Sequence, residues 1–186
     1  QRQSMPKLLI LSGSTGLVGT NVLKRIAGED VRVTEVHRDT DISALPKADY
    51  IIHAAGYGQP KKFMEDKLST LSVNTVMTME LLKRLKPDGK FLFVSTSEVY
   101  SGLAFPPFAE DQIGTTGPSH PRACYIEAKR CGETICNAYR EKGYDVKSAR
   151  LSLAYGPYTK RGDARVLNQF IEQGVTGKIT LLDKGE

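Results

Sequence analysis

Apolar positions along this chain fall into two alternating rhythms. "KLLILSGS" (7–14) is a continuous apolar run broken at Gly13, the pattern of a strand buried on both faces. "GLVGTNVLKRIAG" (16–28) has helical spacing and ends near Gly28. "VRVTEV" (31–36) alternates and is β-branched, so it predicts a strand, and "ADYIIHAAG" (48–56) predicts another that ends in small residues. "LSTLSVNTVMTMELLKRLK" (68–86) predicts one helix that stops before Pro87. "KFLFVSTSEVY" (90–100) predicts a fourth strand and a turn. "SHPRACYIEAKRCGETICNAYREKG" (119–143) predicts a long helix stopped by Gly143, and "DVKSARLSLAYGP" (145–157) a further strand.

Strands separated by helices imply an α/β fold: a doubly wound, Rossmann-type parallel sheet with helices on both faces. Such sheets bind ligands at the carboxyl ends of their strands. Residues 5–157 form this unit. Residues 158–186 offer one amphipathic helix and one strand, too little for an independent domain, and are expected to be the start of a substrate-binding region most of which is absent.

Composition narrows the class only a little. Apolar content of 40% and charged content of 25% are ordinary for a globular chain of 186 residues. No apolar run approaches the roughly 18–20 residues needed to span a bilayer, and no signal peptide is visible. The net charge of +5 comes from scattered basic residues rather than a block, so an anionic small molecule is the expected partner and nucleic acid is not. Cys124, Cys131 and Cys136 crowd one helix without metal-ligand spacing; no metal is expected, and the thiols read as reduced in the cytoplasm.

The segment "GSTGLVG" (Gly13 to Gly19, through Thr15, Gly16, Leu17 and Val18) lies between the first strand and the first helix. Glycines there permit a tight turn and close approach to a pyrophosphate, which the helix N-terminus would receive. A glycine-rich turn without a ligand is the plainer alternative, and the strand before and helix after favour the dinucleotide. The second strand should end at the adenosine ribose. Glu35 suits NAD there, whereas His37 or Arg38 suits NADP; the balance leans to NAD. Ala54, Ala55 and Gly56 would line the cofactor's path, with His53 a packed strand histidine.

Tyr125 and Lys129 stand four apart, on one face of the predicted helix. Alone, that pair means nothing. Beside a dinucleotide loop it gains a chemical sense: a phenol is too weak a base at neutral pH, and a neighbouring ammonium favours the phenolate.

The GxxGxxG spacing resembles the extended branch of the short-chain dehydrogenase/reductase superfamily. "STSEVY" and "PRACYIEAKRCGETICNAY" sharpen this toward the nucleotide-sugar epimerase/dehydratase group, and most toward UDP-glucuronate decarboxylases; "QPKKFMEDKLSTLSVNT" and "GDARVLNQFI" are similar to the same branch. The resemblance implies an NAD-dependent enzyme that transiently oxidises C4 of a nucleotide sugar, decarboxylase-like or epimerase-like. It makes Thr96, Tyr125 and Lys129 the catalytic set, with Lys129 also on the nicotinamide ribose. It makes Glu98 a catalytic carboxylate near the sugar, where a capping role is the plainer alternative. It places Asp41 and Ile42 beside the adenine, Asn74 near the active site, Ser97 and Arg165 on the substrate, and two copies in a dimer joined through the helices carrying Asn74 and Tyr125. Ser97, where dehydratases carry an aspartate, makes dehydration the less expected outcome. Leu153 departs from the pattern, standing where the family has a substrate-binding asparagine. An NADPH-dependent reductase of the same superfamily, or a dinucleotide-binding module without turnover, are the alternatives.

Overall fold

The computed structural model describes residues 5–180. Five parallel strands form one sheet: β1 (Lys7–Ser12), β2 (Val31–Val36), β3 (Ala48–His53), β4 (Leu85–Thr96) and β5 (Asp145–Leu151), in the order β2-β1-β3-β4-β5. The helices are α1 (Leu17–Arg25), α2 (Pro60–Glu65), α3 (Lys67–Asn74), α4 (Val76–Leu82), α5 (Ala123–Glu141) and α6 (Val166–Val175). From β1 the chain steps one way to β2. From β3 it steps the other way to β4 and β5. Right-handed crossovers in opposite directions put α1 on one face and α3, α4 and α5 on the other. The strand order therefore reverses beside β1, at the mouth of the glycine loop, which is where this architecture opens a crevice.

The core lies mainly under α4 and α5. Leu8, Ile10, Ile51, Leu81, Leu82, Phe91, Phe93 and Val146 pack there, each nearly sealed from solvent. At Gly132 the helix α5 comes so close that a Cβ would lie 2.3 Å from the Phe93 ring and 2.9 Å from the carbonyl oxygen of Asn74. A side chain there would push α5 off both β4 and α3.

Three details depart from the sequence pattern. The helix expected over 68–86 is two helices broken at Thr75. Side chains of Thr70, Asn74, Thr75 and Thr78 each bond the carbonyl four residues back, at 2.7–2.9 Å, and such back-bonding bends a helix. Leu85 to Gly89 belong to β4 rather than to a helix end. They bulge where Ala48 pairs with Leu85 and Tyr50 with Lys90, and Pro87 is tolerated in that irregular stretch. The short α2 lacks enough turns to show a period. The amphipathic helix expected after residue 158 is α6; the strand expected beyond it falls mostly outside the described residues.

At the sheet's opposite end Asp49 accepts from the Leu8 amide at 2.8 Å and the Lys86 ammonium at 2.9 Å. These hold its carboxyl down at about 2. The folded value lies below the unfolded one of 3.8, so its stabilisation is present above that pH and is lost as pH falls through about 2. Discounted for solvent screening, it is worth about 1–2 kcal/mol. Asp49→Asn is expected to flatten the acid limb of stability against pH in urea titrations; an unchanged limb would disprove the assignment.

Candidate active site

Loops at the carboxyl ends of β1, β3, β4 and β5 surround a cavity of about 690 Å³, with α5 as one wall and residues 159–166 as a rim. The glycine loop forms one end of it. Gly13 takes φ +74°, and a Cβ there would lie 2.3 Å from the carbonyl oxygen of Ala54. A Cβ on Gly19 would lie 2.1 Å from the carbonyl oxygen of Gly13. Both glycines thus serve the packing of strand on helix. Only Gly16 faces the cavity with room: its ordinary φ of −82° and a nearest neighbour at 3.4 Å leave a clear approach. Gly16 is also the N-cap of α1, with no capping side chain and no acidic residue in the first turn, so the helix N-terminus keeps its unpaired N–H groups and positive dipole end. The Ser14 hydroxyl is buried beside it without a partner. Such groups suit an anion.

Of the expected cofactor residues, Gly16, Leu17, Val18, Ala54, Ala55 and Gly56 line the cavity, as do Tyr125 and Lys129. Thr15 is exposed on the loop. Glu35 and Arg38 stand exposed at the end of β2; the Arg38 guanidinium donates to the Tyr57 hydroxyl at 3.1 Å. Asp41 caps the short helical turn Ile42–Ala44 and accepts from the amide and hydroxyl of Ser43, while Ile42 packs on the core. Asn74 is fully buried. Its amide nitrogen donates to the Thr70 carbonyl, and its side-chain oxygen is unpartnered. His53 is a packed strand histidine. Its Nε2 faces the Val73 carbonyl at 2.8 Å, and its Nδ1 meets the Ser12 hydroxyl at 2.6 Å. Burial and the nearby Lys129 hold it down at about 3, so it is neutral, Nε2 donates, and Ser12 donates to Nδ1. Ser12 in turn accepts from the Ala55 amide at 3.3 Å. This relay joins β1, β3 and α3 directly behind the cavity.

Thr96, Ser97, Glu98, Tyr125 and Lys129 all reach the cavity, gathered by the end of β4 and one face of α5. The Tyr125 ring lies flat on Phe63, 4.4 Å between centroids and 5° between planes. Phe63 comes from α2, which periodicity could not reveal. Lys129 is buried and donates to the Val94 carbonyl at 2.6 Å. Burial lowers its ammonium to about 7, and the Glu133 carboxylate one turn on opposes that. Burial raises the Tyr125 phenol above its ordinary value and Glu98 adds to this, while Thr96, Arg122 and Arg165 oppose it; the Lys129 ammonium lies 5.8 Å from the centre of the Tyr125 ring. The lysine's charge is turned toward a carbonyl of β4. Glu98 is paired with Arg122, a residue the sequence reading passed over although it stands three positions before Tyr125. Arg165 lies on the rim with its guanidinium committed to Asp163 at 2.6–3.1 Å. Leu153 lines the cavity with 51% of its surface exposed, an apolar patch where an amide was expected.

Behind β4 the Glu133 carboxylate receives the Ser95 hydroxyl at 2.5 Å and the Arg150 guanidinium at 2.7–3.2 Å. Arg150 also reaches the Tyr100 hydroxyl and the carbonyls of Glu110 and Gln112. This network fixes the strand end that carries Thr96. Among the described residues no helix is long and apolar enough to cross a membrane.

UDP-glucuronic acid decarboxylase 1 of Xenopus tropicalis is 31% identical over 97% of the chain and 49% of that protein. The chain spans about half the length of the curated relatives it matches. Among solved structures, UDP-glucose 4-epimerase of Thermotoga maritima with UDP-glucose shares the fold at a TM-score of 0.78 and 21% identity, covering 96% of this chain and 67% of that one. RMD of Pseudomonas aeruginosa complexed with NADPH has a TM-score of 0.67 and 26% identity, covering 94% and 63%. A family model matches residues 9–186, and the chain belongs to the NAD dependent epimerase/dehydratase family.

Proposed function

We propose that this chain carries the dinucleotide site and the proton-transfer group of an enzyme that transiently oxidises C4 of a nucleotide sugar, after which the keto-sugar is decarboxylated or epimerised. The observation that carries the reading is convergence: Thr96, Tyr125 and Lys129 open onto the same cavity as the uncapped N-terminus of α1. The residues fit NAD. The first turn of α1, the orphaned Ser14 hydroxyl and the open face of Gly16 would hold the pyrophosphate. Ala54 to Gly56 would line its path, Glu35 would take the adenosine ribose, Asp41 and Ile42 the adenine, and Lys129 the nicotinamide ribose, with Asn74 behind them. When bound, NAD supplies the acceptor and later the donor of a hydride. Tyr125 accepts the proton of the sugar hydroxyl and returns it, and Thr96 donates a hydrogen bond to the same oxygen. Ser97 and Arg165 contact the sugar nucleotide, and Glu98 acts near its ring.

Arg38 supports a second reading. A cation at the end of β2 suits the extra phosphate of NADP, as in a reductase. The working form is a cytoplasmic homodimer joined through α3, α4 and α5, where Leu68, Val76 and Met79 lie exposed.

Calorimetric titration with NAD⁺ and NADPH, then with UDP-glucuronate on the loaded chain, tests the proposal. NAD⁺ binding followed by nucleotide-sugar binding is expected. Tighter binding of NADPH would favour the reductase, dinucleotide binding alone would leave a module without turnover, and binding of neither would refute the site.

A further inference from the structure

Ser12 and His53 face each other across the seam where the strand order reverses. They are partners in the register of β1 with β3, each is the last residue of its strand, and both are sealed from solvent. Ser12 leads straight into the glycine loop, and His53 into the turn Ala54–Gly56 that lines the cavity. The two turns touch. A Cβ on Gly13 would lie 2.6 Å from the Ala55 nitrogen as well as 2.3 Å from the Ala54 oxygen, so neither turn can shift toward the other.

Ser12 grips the second turn twice. Its carbonyl accepts the Ala54 amide at 3.1 Å, and its hydroxyl oxygen accepts the Ala55 amide at 3.3 Å. The first bond is backbone pairing that any residue could make. The second holds only while the hydroxyl proton points away from the Ala55 N–H, and His53 decides where it points. The Val73 carbonyl, 2.8 Å from Nε2, can only accept, so the ring carries its proton on Nε2. Nδ1 is then left to accept from the Ser12 hydroxyl at 2.6 Å. Val73 lies in the last turn of α3, where the helix itself supplies no amide to its carbonyl. The direction of each bond from α3 to Ala55 is thereby fixed, and a sealed site makes each of them costly to break.

We propose that His53 is a positioning residue for the dinucleotide: with its proton on Nε2 it turns the Ser12 hydroxyl onto Nδ1, and the Ser12 oxygen then clamps Ala54–Gly56 in the place from which that turn lines the cofactor's path. This rests on the reading of the cavity as a dinucleotide site. Volume alone does not ask for an imidazole at the end of β3; bonding at both ends of the ring does.

Asparagine and glutamine divide the imidazole between them, because the Asn amide reaches as far as Nδ1 and the Gln amide as far as Nε2. His53→Asn can still accept from Ser12 and abandons Val73. His53→Gln can still donate to Val73 and abandons Ser12. Ser12→Ala removes the clamp itself. Hydrogen exchange of the Ala55 amide in the unliganded chain should be slow in wild type and His53→Asn, and about tenfold faster in His53→Gln and Ser12→Ala. Affinity for NAD⁺ by calorimetry should divide the same way, falling about tenfold in the second pair. Thermal stability should not divide so, since His53→Asn strands the Val73 carbonyl and is expected to lose as much Tm as His53→Gln. In nitrogen NMR of the histidine rings, the signal that vanishes in His53→Gln should show its wild-type proton on Nε2. A proton on Nδ1, or exchange and affinity that simply track stability in both His53 variants, would overturn the positioning role while wild-type binding of NAD⁺ left the site reading standing. Wild type that bound no NAD⁺ would sink the site reading and this role with it.

Discussion

Tyr125→Phe is expected to lower kcat by about 10³-fold, within the span usual for loss of a positioned acid or base, with NAD⁺ affinity nearly unchanged. The substitution removes one oxygen and keeps the ring, so the flat stack on Phe63 survives. The lost atom is the one that Thr96 neighbours, on a residue that lines the cavity. The protein's own groups leave this phenol above its ordinary value, because burial outweighs Thr96, Arg122 and Arg165. A free phenolate is therefore scarce near neutrality, and kcat should climb with pH toward the alkaline side in wild type. Single-turnover measurement of nicotinamide reduction separates this step from release. A variant retaining a tenth of the wild-type rate would mean that another group moves the proton.

Arg150→Met should destabilise the fold by about 3 kcal/mol, the lower part of the range for stripping one partner from a buried ion pair. For a chain of this size that is a fall of about 10 °C in Tm. The reason is what stays behind. Glu133 has 10% side-chain exposure, and without Arg150 its remaining partners are Ser95 and the more distant Lys129. Tyr100 and the carbonyls of Glu110 and Gln112 lose their donor in the same stroke. The double variant Glu133→Leu with Arg150→Met should recover much of the loss, since an apolar pair carries no stranded charge. If the double variant were as unstable as the sum of the singles, the pairing would not be the source of the effect.

Local pattern revealed what local forces decide. The five strands were legible because a parallel sheet covered on both faces needs apolar runs, and "KLLILS" and "KFLFVST" have them. Tyr125 and Lys129 were legible because helical spacing puts them on one face. The break at Thr75 was not, since it comes from side chains bonding back to carbonyls while the apolar period runs on. Phe63 under Tyr125, and Arg150 against Glu133, join residues from separate elements, and no window of sequence contains both members of either contact in register. Arg122 was in plain view in "PRACY"; its position against Glu98 depends on how β4 ends, which lies outside any helical pattern.

The glycine loop divides its work unequally. A Cβ on Gly13 or Gly19 would meet backbone at 2.1–2.3 Å, whereas one on Gly16, at an ordinary φ, would come no nearer than 3.4 Å to its neighbours. Mutational drift would thus meet two different filters within seven positions. Changes at the outer glycines are screened by whether the chain folds at all. Changes at the middle one are screened chiefly by how closely a ligand can approach, so of the three glycines it is the one where affinity can evolve without putting the fold at risk.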